Sequence, residues 1–544
     1  MTFTGTLHPY QEPAVDLIAD EMKVLVAFEM GLGKTPLTIA AIELLADQGQ
    51  VDCGLIVALS SLKYQWAKAI DKFTCSSCLG KLEEGEDDHV HEPTATSLVI
   101  DGTPAERKRQ YAVAATGVHR YVIVNYEQVV NDWPTVRRLP RDFVVADEVT
   151  AVKSFRSQRS RRMKRLQAPY MIGLTGTPME NGKLEEVYSI MQFLDEDVLG
   201  RFDIFDRTFV VRNQYGGVSR YRNVPLFRET MSRRWIVKTQ IDDDVAPYMP
   251  KVTSKNHTPV LDTSSSKLYR SIAVDLIADL GDALSAGMSG FDLYAHYTGE
   301  GGDSMDALQG AIMSKMTALQ MLCDHPGLLA HSARLYAQSL VDGKAKGSEY
   351  AHSLQQSGQL DAVSKIKTPP KMAVTLELLE RILERDGNKA VLFSHDVPTL
   401  PMLQAALPAG IATRYDGTMS AKEKEQSKNL FQSDPDVRVL LSSDAGGFGV
   451  DLPQGNHLIN YDLPWSNGAL KQRNSRIIRA SSKFERVFLH NMLVTGSIDQ
   501  WLYAKVGGKI ATSEAFVLGK GLDKKGGLDV TTEGLMQFLL NESP

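Results

Sequence analysis

Cysteine, long apolar runs and excess positive charge are all scarce in this chain, and each scarcity excludes a class of protein. The 544 residues include four cysteines, which fits a reducing compartment and excludes a disulfide framework. No run reaches the roughly 18 apolar residues that a membrane span needs, and no secretory signal is apparent at the N-terminus. The formal charge of −6 argues against a protein that coats nucleic acid non-specifically, although it allows local basic grooves. We therefore expect a protein of the cell interior with no membrane partner.

The apolar content of 43% predicts sizeable cores, and the length is enough for roughly three to four domain-sized units. Short apolar runs alternate with amphipathic helical patterns such as 61–73. This alternation indicates βαβ units, and so an α/β fold whose parallel sheets are covered by helices. The predicted strands are 24–28, 54–59, 98–100, 121–124, 143–146, 390–394, 437–442, 458–461 and 487–493.

The strand signal fades between about 255 and 355, where the pattern is helical, and returns after Pro369-Pro370. Two α/β lobes with a helical insertion beside the second are therefore expected. The predicted domains are a first lobe at 1–245 with an insertion at 74–97, a linker and helical insertion at 246–370, and a second lobe with C-terminal helices at 371–544.

The apolar run 24–28 breaks into the sequence Glu29-Met-Gly-Leu-Gly-Lys-Thr35, which is followed by a helical pattern. This order predicts a loop whose backbone N–H groups cradle phosphates at a helix N-terminus. The predicted nucleotide-binding residues are Gly31, Leu32, Gly33, Lys34 and Thr35. Lys34 would meet the β- and γ-phosphates, and Thr35 would coordinate Mg²⁺. Because Phe28 replaces the glycine of the strict pattern, a tight strand–helix turn stays open as the alternative at this point.

A second apolar run, 143–146, ends in Asp147-Glu148. In nucleotide hydrolases such a pair supplies a carboxylate for Mg²⁺ and a general base for water. Asp-Glu pairs also occur in surface turns, but the upstream phosphate loop favours the catalytic interpretation. The run into Thr175-Gly-Thr-Pro178 is a strand followed by a turn and is uninformative by itself.

Gln472, Arg476 and Arg479 have the spacing that places side chains on one face of a helix. Two guanidinium groups on one face can neutralise charge on a transferred phosphoryl group. For an isolated arginine pair, the alternative is a solvated basic helix.

Together these segments resemble the Swi/Snf-type ATPases of helicase superfamily 2, and the resemblance runs through most of the chain. The matching segments, in the family's order, are Tyr10-Gln11, Glu29–Thr35, Leu55–Trp66, Val122–Glu127, Asp147–Lys153, Leu174–Asn181, Leu319–Leu329, Ser443–Leu452, Tyr461–Trp465 and Gln472–Arg479. The resemblance implies two RecA-like lobes, with ATP and Mg²⁺ bound at a site that both lobes complete.

The resemblance also assigns roles to single residues. Gln11 would read adenine, Asp147 would hold Mg²⁺ with Thr35, and Glu148 would activate water. From the second lobe, the implied contributors to the ATP site are Gln472, Arg476, Arg479, Gly449 and Asp451. Asn125 and Tyr126 are candidate DNA contacts.

The chain departs from the family's pattern at four places. Phe28 replaces an Asp, Val149-Thr150 replaces Ala-His, Asp451 replaces an Asn, and Ala480–Ser482 replaces Ile-Gly-Gln. None of these changes removes a hydrolytic group, so ATP hydrolysis is still expected. The histidine that Thr150 replaces bridges to the second lobe in the family, so these departures bear on coupling to DNA.

The segment 74–97 interrupts the family's pattern and carries Cys75, Cys78, His89 and His91. Cys-x₂-Cys is half of a structural zinc site, and a segment with so few apolar residues needs help to fold. His-x-His is not the usual spacing for the other half of such a site. A Zn²⁺ site and an acidic loop with incidental Cys and His therefore both stay open.

Six cations fall within ten residues at Arg156, Arg159, Arg161, Arg162, Lys164 and Arg165. They are either a solvated helix face or a phosphate-binding surface. Because the family's segment after Asp-Glu lies near the duplex, Arg161 and Arg162 are candidate DNA contacts.

The sequence therefore predicts an ATP- and Mg²⁺-dependent motor that moves along duplex or branched DNA. We expect a monomer in the cytoplasm of a bacterial or phage-infected cell. Two alternatives stay open. One is a strand-separating or annealing helicase, and the other is an ATP-gated DNA-binding subunit that recruits a partner protein such as a nuclease.

Overall fold

Two parallel sheets organise the chain, one in each of two compact units. The chain leaves the first unit between Met249 and Pro250, and Arg479 also groups with the first unit. The computed structural model describes residues 3–75, 95–154, 157–179, 182–212, 218–285, 307–343, 346–444, 452–480, 482–505 and 532–542. The predicted α/β fold of two lobes with parallel sheets is confirmed. Among the helices of these residues, none is long and apolar enough to cross a membrane.

The first sheet has seven parallel strands in the order β3-β4-β2-β5-β6-β1-β9, and an antiparallel pair, β7-β8, stands apart from it. Alternate residues of its strands belong to different cores, as Leu25 and its neighbours Val24 and Val26 do, because helices cover both faces. The strands are β1 Lys23–Phe28, β2 Gly54–Ala58, β3 Ser97–Val99, β4 Tyr121–Asn125, β5 Phe143–Asp147, β6 Tyr170–Leu174, β7 Val210–Arg212, β8 Val218–Tyr221 and β9 Trp235–Lys238.

The helices of this unit follow the strands in the alternation that the sequence predicts. They are Glu12–Glu21, Lys34–Asp47, Lys63–Phe73, Pro104–Ala114, Tyr126–Asn131, Trp133–Val136, Gln158–Met163, Leu184–Leu194, Phe202–Phe209 and Val224–Met231.

The second sheet has six parallel strands in the order β10-β15-β14-β11-β13-β12. Its two edge strands, β10 and β12, were not predicted. Strand β10 has the polar sequence KVTSKNH and forms an exposed edge, so it lacks the apolar run that marks a buried strand. The strands are β10 Lys251–His257, β11 Ala390–Phe393, β12 Ala412–Tyr415, β13 Val439–Ser442, β14 His457–Asn460 and β15 Arg486–Met492.

The helices between β10 and β11 share a core with the C-terminal part of the chain. Leu268 and Leu319 from this region pack in the same apolar cluster as Trp465, Trp501 and Leu535. The helices of the second unit are Thr263–Ser285, Ala307–Asp324, Pro326–Asp342, Glu349–Gln356, Pro370–Leu383, Thr399–Ala406, Ala421–Ser433, Asn467–Asn474 and Thr532–Glu542.

Three histidines form a hydrogen-bonded chain across the second sheet, which we call the histidine ladder (His257, His490 and His457). The His490 ring meets His257 at 3.1 Å on β10 and His457 at 3.1 Å on β14. Burial, reinforced by the neighbouring histidines, Lys255 and Arg381, lowers the pKa of His490 to about 3. Burial and Arg385 lower the pKa of His457 to about 4. The ladder is therefore neutral at physiological pH.

Acidification is expected to loosen this sheet. Below the ordinary histidine pKa of about 6.5, the unfolded chain binds protons that the folded ladder excludes, so stability falls as the pH drops from about 6.5 toward 4. Hydrogen–deuterium exchange of segments 251–257 and 486–492, corrected for the intrinsic rate, should show weaker protection at pH 5 than at pH 7.5. A His490→Gln variant should be less protected at both pH values, with a smaller difference between them. An undiminished difference would remove the ladder as its cause.

Candidate functional site

The predicted phosphate loop connects β1 to the helix Lys34–Asp47. Gly31 and Gly33 have φ values of +82° and +72°, a left-handed conformation that costs a side-chain-bearing residue about 1 kcal/mol or more. These glycines turn the chain from the strand end into the helix N-terminus. A helix N-terminus directs N–H groups and a partial positive charge outward, which suits a phosphate.

The side chain of Gln11 forms hydrogen bonds to the backbone of this loop. Its Nε2 donates to the carbonyl oxygens of Leu32 at 3.0 Å and Gly33 at 3.2 Å, and its Oε1 accepts from the His8 N–H at 2.8 Å. Gln11 is buried, with 2% of its surface exposed. In this structure the residue predicted to read adenine therefore braces the phosphate loop, and adenine recognition by Gln11 stays a prediction.

Lys34 is the first residue of the helix Lys34–Asp47, and its side chain lies within electrostatic reach of both carboxylates of the Asp147-Glu148 pair. Its Nζ donates to the Phe28 carbonyl at 2.9 Å. Burial lowers the pKa of the Lys34 ammonium, while the charges of Glu148 and Asp147 oppose that shift. The fold thus brings together the cation that follows β1 and the two acids at the end of β5.

Asp147 ends β5 and is fixed by a residue that the sequence does not single out. Trp66 Nε1 donates to Asp147 Oδ2 at 2.8 Å, and the Glu148 N–H donates to Asp147 Oδ1 at 3.0 Å. Burial raises the pKa of Asp147, although the Trp66 bond and the Lys34 charge oppose it. All five tryptophans are buried, yet only the folded structure shows that one of them positions a predicted Mg²⁺ ligand.

Glu148 has a left-handed backbone, with φ 50° and ψ 55°. Such a conformation is uncommon for a residue other than glycine and costs on the order of 1–3 kcal/mol. It turns the chain sharply out of β5 into the 3₁₀ helix Val149–Val152, which contains Thr150. The Tyr126 hydroxyl supports the turn by donating to the Asp147 carbonyl at 2.7 Å.

The Thr175-Gly-Thr segment, which the sequence leaves uninformative, packs against the phosphate loop. The Thr175 N–H donates to the Val26 carbonyl at 3.1 Å. A Cβ at Gly176 would come within 2.8 Å of the Met30 side chain. This close approach explains why glycine occupies position 176.

The arginine segment of the second unit differs from its prediction in one respect. The helix Asn467–Asn474 ends before Arg476, which lies with its neighbours in a turn. The predicted single helical face for Gln472, Arg476 and Arg479 is therefore wrong. Arg476 is 7% exposed, and its carbonyl accepts from the Leu452 N–H at 3.1 Å.

Arg473, which is not among the predicted site residues, is held between two carboxylates. Its Nε and Nη2 donate to the two carboxylate oxygens of Asp444 at 2.5 and 2.7 Å. Its Nη1 and Nη2 also donate to the carbonyl and Oδ1 of Asp462 at 2.5 and 3.0 Å. Asp444 also meets His395 at 3.6 Å. Burial acts to raise the pKa of the Asp444 carboxyl, but Arg473, helped by His395, holds that pKa well below its usual range. We call Arg473, Asp444 and Asp462 the arginine clamp.

Some of the candidate DNA contacts are buried within the protein, and others are exposed on its surface. Tyr126 is fully buried, so the expectation that its side chain contacts DNA is corrected, and Asn125 caps the helix Tyr126–Asn131. Arg162 lies over the Trp133 ring at 5.4 Å, whereas Arg161 is exposed. Arg159 pairs with Glu127 at 3.0 Å. Part of the basic run is thus engaged within the protein.

Several predicted residues lie outside the described part of the chain. They are Gly449, Asp451, Cys78, His89 and His91. The remaining predicted zinc ligand, Cys75, is buried, and the described residues contain no group of three or more His, Cys, Asp and Glu that could hold a metal ion. The predicted zinc site therefore stays untested.

Comparison with known families agrees with this geometry. Residues 10–328 match the SNF2-related domain, and residues 371–481 match the helicase conserved C-terminal domain. The chain belongs to the SNF2 family. Members of this family are superfamily 2 ATPases, so the predicted resemblance is confirmed.

Curated relatives of this SNF2 chain share its two lobes at low identity. The YwqA protein of Bacillus subtilis is 23% identical over 511 residues, which are 92% of this chain and 47% of that protein. The DNA repair and recombination protein RAD54B of Mus musculus is 24% identical over 532 residues, covering 91% of this chain and 53% of RAD54B. The chain thus spans about half the length of these relatives. The Hef helicase domain of Pyrococcus furiosus has the same fold, at a TM-score of 0.50 and 17% identity over 91% of this chain and 97% of that domain.

Substitution of Gly33 by alanine is expected to weaken nucleotide binding. A Cβ there would lie 2.2 Å from Gln11 Nε2, so the substitution breaks the brace as well as straining the backbone. We expect at least a tenfold loss in affinity, about 1.4 kcal/mol, measured by titration with a fluorescent ATP analogue.

Gly49→Ala is the matched control, because Gly49 has φ +71° at the other end of the same helix and a Cβ there meets nothing within 4 Å. It should lose stability but keep its affinity. Equal affinity loss in the two variants would show that backbone strain, and not the Gln11 contact, is responsible.

Proposed function

We propose that this SNF2 chain hydrolyses ATP and uses the energy to move along duplex or branched DNA. The observation that carries this proposal is the proximity of Lys34, Asp147 and Glu148 at the carboxyl edge of the first sheet. A phosphate-binding cation, a metal-binding carboxylate and a second carboxylate are the groups that phosphoryl transfer to water requires.

The residues around Asp147 fit Mg²⁺. Carboxylate and hydroxyl oxygens are the ligands that this hard cation prefers, and Asp147 and Thr35 supply them. Burial of the charged Asp147 carboxylate costs solvation free energy, and the charge of Lys34 offsets only part of this cost. A bound cation would offset more of it. Mg²⁺, when bound, neutralises negative charge on the phosphates of ATP.

The remaining groups have separate tasks in the proposed reaction. The N–H groups of the phosphate loop and Lys34 bind the phosphates, and Glu148 accepts a proton from the attacking water. Arg476 and Arg479 neutralise charge on the transferred phosphoryl group. Gln11 keeps the loop in its binding conformation through the Leu32 and Gly33 carbonyls.

DNA as the partner is supported by the relatives and by the exposed part of the basic run. RAD54B is a DNA repair and recombination protein. In this chain Arg161 and Arg165 are exposed close to the Asp147-Glu148 turn in sequence, and guanidinium groups suit phosphate. Because the net charge is −6, the contact with DNA is expected to be local and not spread over the whole surface.

The Glu148→Gln variant is expected to lose hydrolysis while keeping ATP binding. Glutamine has nearly the same shape but cannot accept the proton, and removal of a general base typically costs about 10²–10⁴-fold in turnover. The measurement is steady-state ATPase activity with no DNA, single strands, duplex and fork. Glu127→Gln is the control, because Glu127 is 55% exposed and pairs only with Arg159 among the described ion pairs.

The same assay separates the alternatives. DNA-stimulated turnover in the wild type and its loss in Glu148→Gln support the motor. Release of a strand from the fork would identify a strand-separating helicase. Turnover that ignores DNA would favour the subunit that recruits a partner, and full turnover in Glu148→Gln would contradict the proposed base.

Charge reversal at Arg161 is expected to weaken DNA binding and flatten its salt dependence. Removing one cation from a DNA phosphate should reduce the slope of log K against log salt by about 0.9. Fluorescence anisotropy with a short duplex at several salt concentrations measures both quantities. Arg201→Glu, which reverses a side chain that is 82% exposed, controls for the change in net charge. Identical slopes for the two variants would exclude a specific interaction of Arg161 with DNA.

A further inference from the structure

Four asparagines form a hydrogen-bonded series at the carboxyl edge of the second sheet, which we call the asparagine ladder (Asn256, Asn491, Asn460 and Asn474). Asn491 is the direct cross-strand partner of both Asn256 on β10 and Asn460 on β14. Its Nδ2 donates to Asn256 Oδ1 at 2.9 Å, and its Oδ1 accepts from Asn460 Nδ2 at 2.9 Å. Cross-strand partners share a face, so these three side chains form one row.

The fourth member joins this row to the arginine segment. Asn460 Nδ2 also donates to Oδ1 of Asn474, the last residue of the helix Asn467–Asn474, at 3.1 Å. Asn460 is fully buried and Asn491 is 5% exposed, so water competes little for these bonds. The ladder therefore ties the end of this helix to the sheet below it.

The row of cross-strand partners continues beyond Asn460 toward the other edge of the second sheet. Asn460 pairs with Phe393, which pairs with Ser442, which pairs with Tyr415. The Arg473 guanidinium lies 5.8 Å from the centre of the Phe393 ring. Burial and the charge of Glu425 raise the pKa of Tyr415, and the charge of Arg476 opposes this rise. Arg473, Asn474 and Arg476 thus each interact with a member of this row.

The position of Arg476 depends on Arg473 and Asn474 because Arg476 lies beyond the end of the helix. Its N–H donates to the Arg473 carbonyl at 3.1 Å, so its position follows the last turn, which Arg473 and Asn474 fix from two directions. The arginine clamp holds one side of that turn through Asp444 and Asp462, and the ladder holds the other. Loss of either anchor would let the turn shift.

We propose that the asparagine ladder is a positioning device that aligns Arg476 for ATP hydrolysis. It ties the arginine turn, by two intervening side chains, to β10, which begins directly after the boundary between the two units. This inference rests on the proposed function, since it presumes that Arg476 acts on the nucleotide. The ladder asparagines are positioning residues and do not contact the nucleotide themselves.

Replacing the acceptor at position 474 tests the proposal. Asn474→Leu removes the oxygen that receives the Asn460 bond, whereas Asn474→Asp keeps it. Because a small displacement of a catalytic group costs up to about 10²-fold, Asn474→Leu should lower DNA-stimulated kcat roughly tenfold while the KM for ATP changes less than about twofold. Asn460→Leu should give the same loss, and Asn474→Asp should restore most of kcat.

Stability should not follow the same order as turnover. A carboxylate at a helix C-terminus is unfavourable, so Asn474→Asp is expected to be no more stable than Asn474→Leu, as thermal unfolding can measure. The matched control is His490→Gln at pH 8. His490 precedes Asn491 in the sequence, and its side chain lies on the opposite face of β15. This variant should be less stable than the wild type with a kcat within about twofold of it.

Arg476→Ala separates the failure of this inference from the failure of the proposed function. If Arg476→Ala is inactive while Asn474→Leu and Asn460→Leu keep full kcat, the ladder proposal alone is overturned. It is likewise overturned if Asn474→Asp is as slow as Asn474→Leu. If Arg476→Ala keeps full turnover, the proposed role of Arg476 and the ladder inference both fall.

Discussion

The parallel direction of the strands is the constraint on which both functional segments depend. Parallel strands are joined by crossovers, so their carboxyl ends share one edge, and the loops that follow them are brought together however far apart they lie in sequence. In the first sheet β1, β6 and β5 are neighbours, which places the phosphate loop, the Thr175 turn and Asp147 side by side. In the second sheet the residues that follow β13 and β14, Asp444 and Asp462, meet on one arginine.

Charges buried at these edges fix position at a cost in solvation. Arg473 between two aspartates and Lys371 between Asp324 and Asp499 are each almost fully enclosed. Such groups give little net stability, yet removing one partner leaves an uncompensated charge that costs about 3–5 kcal/mol. The geometry they hold is therefore difficult to deform. Lys371 joins the end of the helix Ala307–Asp324 to the segment after β15 and so fixes these two parts of the second unit together. This lysine has no part in the proposed chemistry.

The sequence predicts what depends on local pattern and fails where the partner is remote. Buried strands were predicted because their apolar runs are short and bounded by turn residues, which favours a strand over a helix. The phosphate loop was predicted because its glycines follow a strand. Strand β10 was missed because an exposed edge does not need apolar residues. The helical face of the arginine segment was wrong because spacing alone does not show that a helix ends at Asn474. Trp66 and Arg473 were missed because Asp147, Asp444 and Asp462 become their partners only after folding.

Strand β15 shows how one stretch of chain can carry two independent constraints. Side chains alternate between faces with a period of two, so His490 and Asn491, neighbours in sequence, belong to ladders on opposite sides of the sheet. The histidine ladder must remain neutral, and so it links the stability of the sheet to pH. The amide groups of the asparagine ladder do not titrate, so the geometry they transmit to the arginine turn is independent of pH as long as the sheet is folded. Sheet stability and arginine alignment are therefore set by different chemistry, although the same three strands, β10, β15 and β14, supply both.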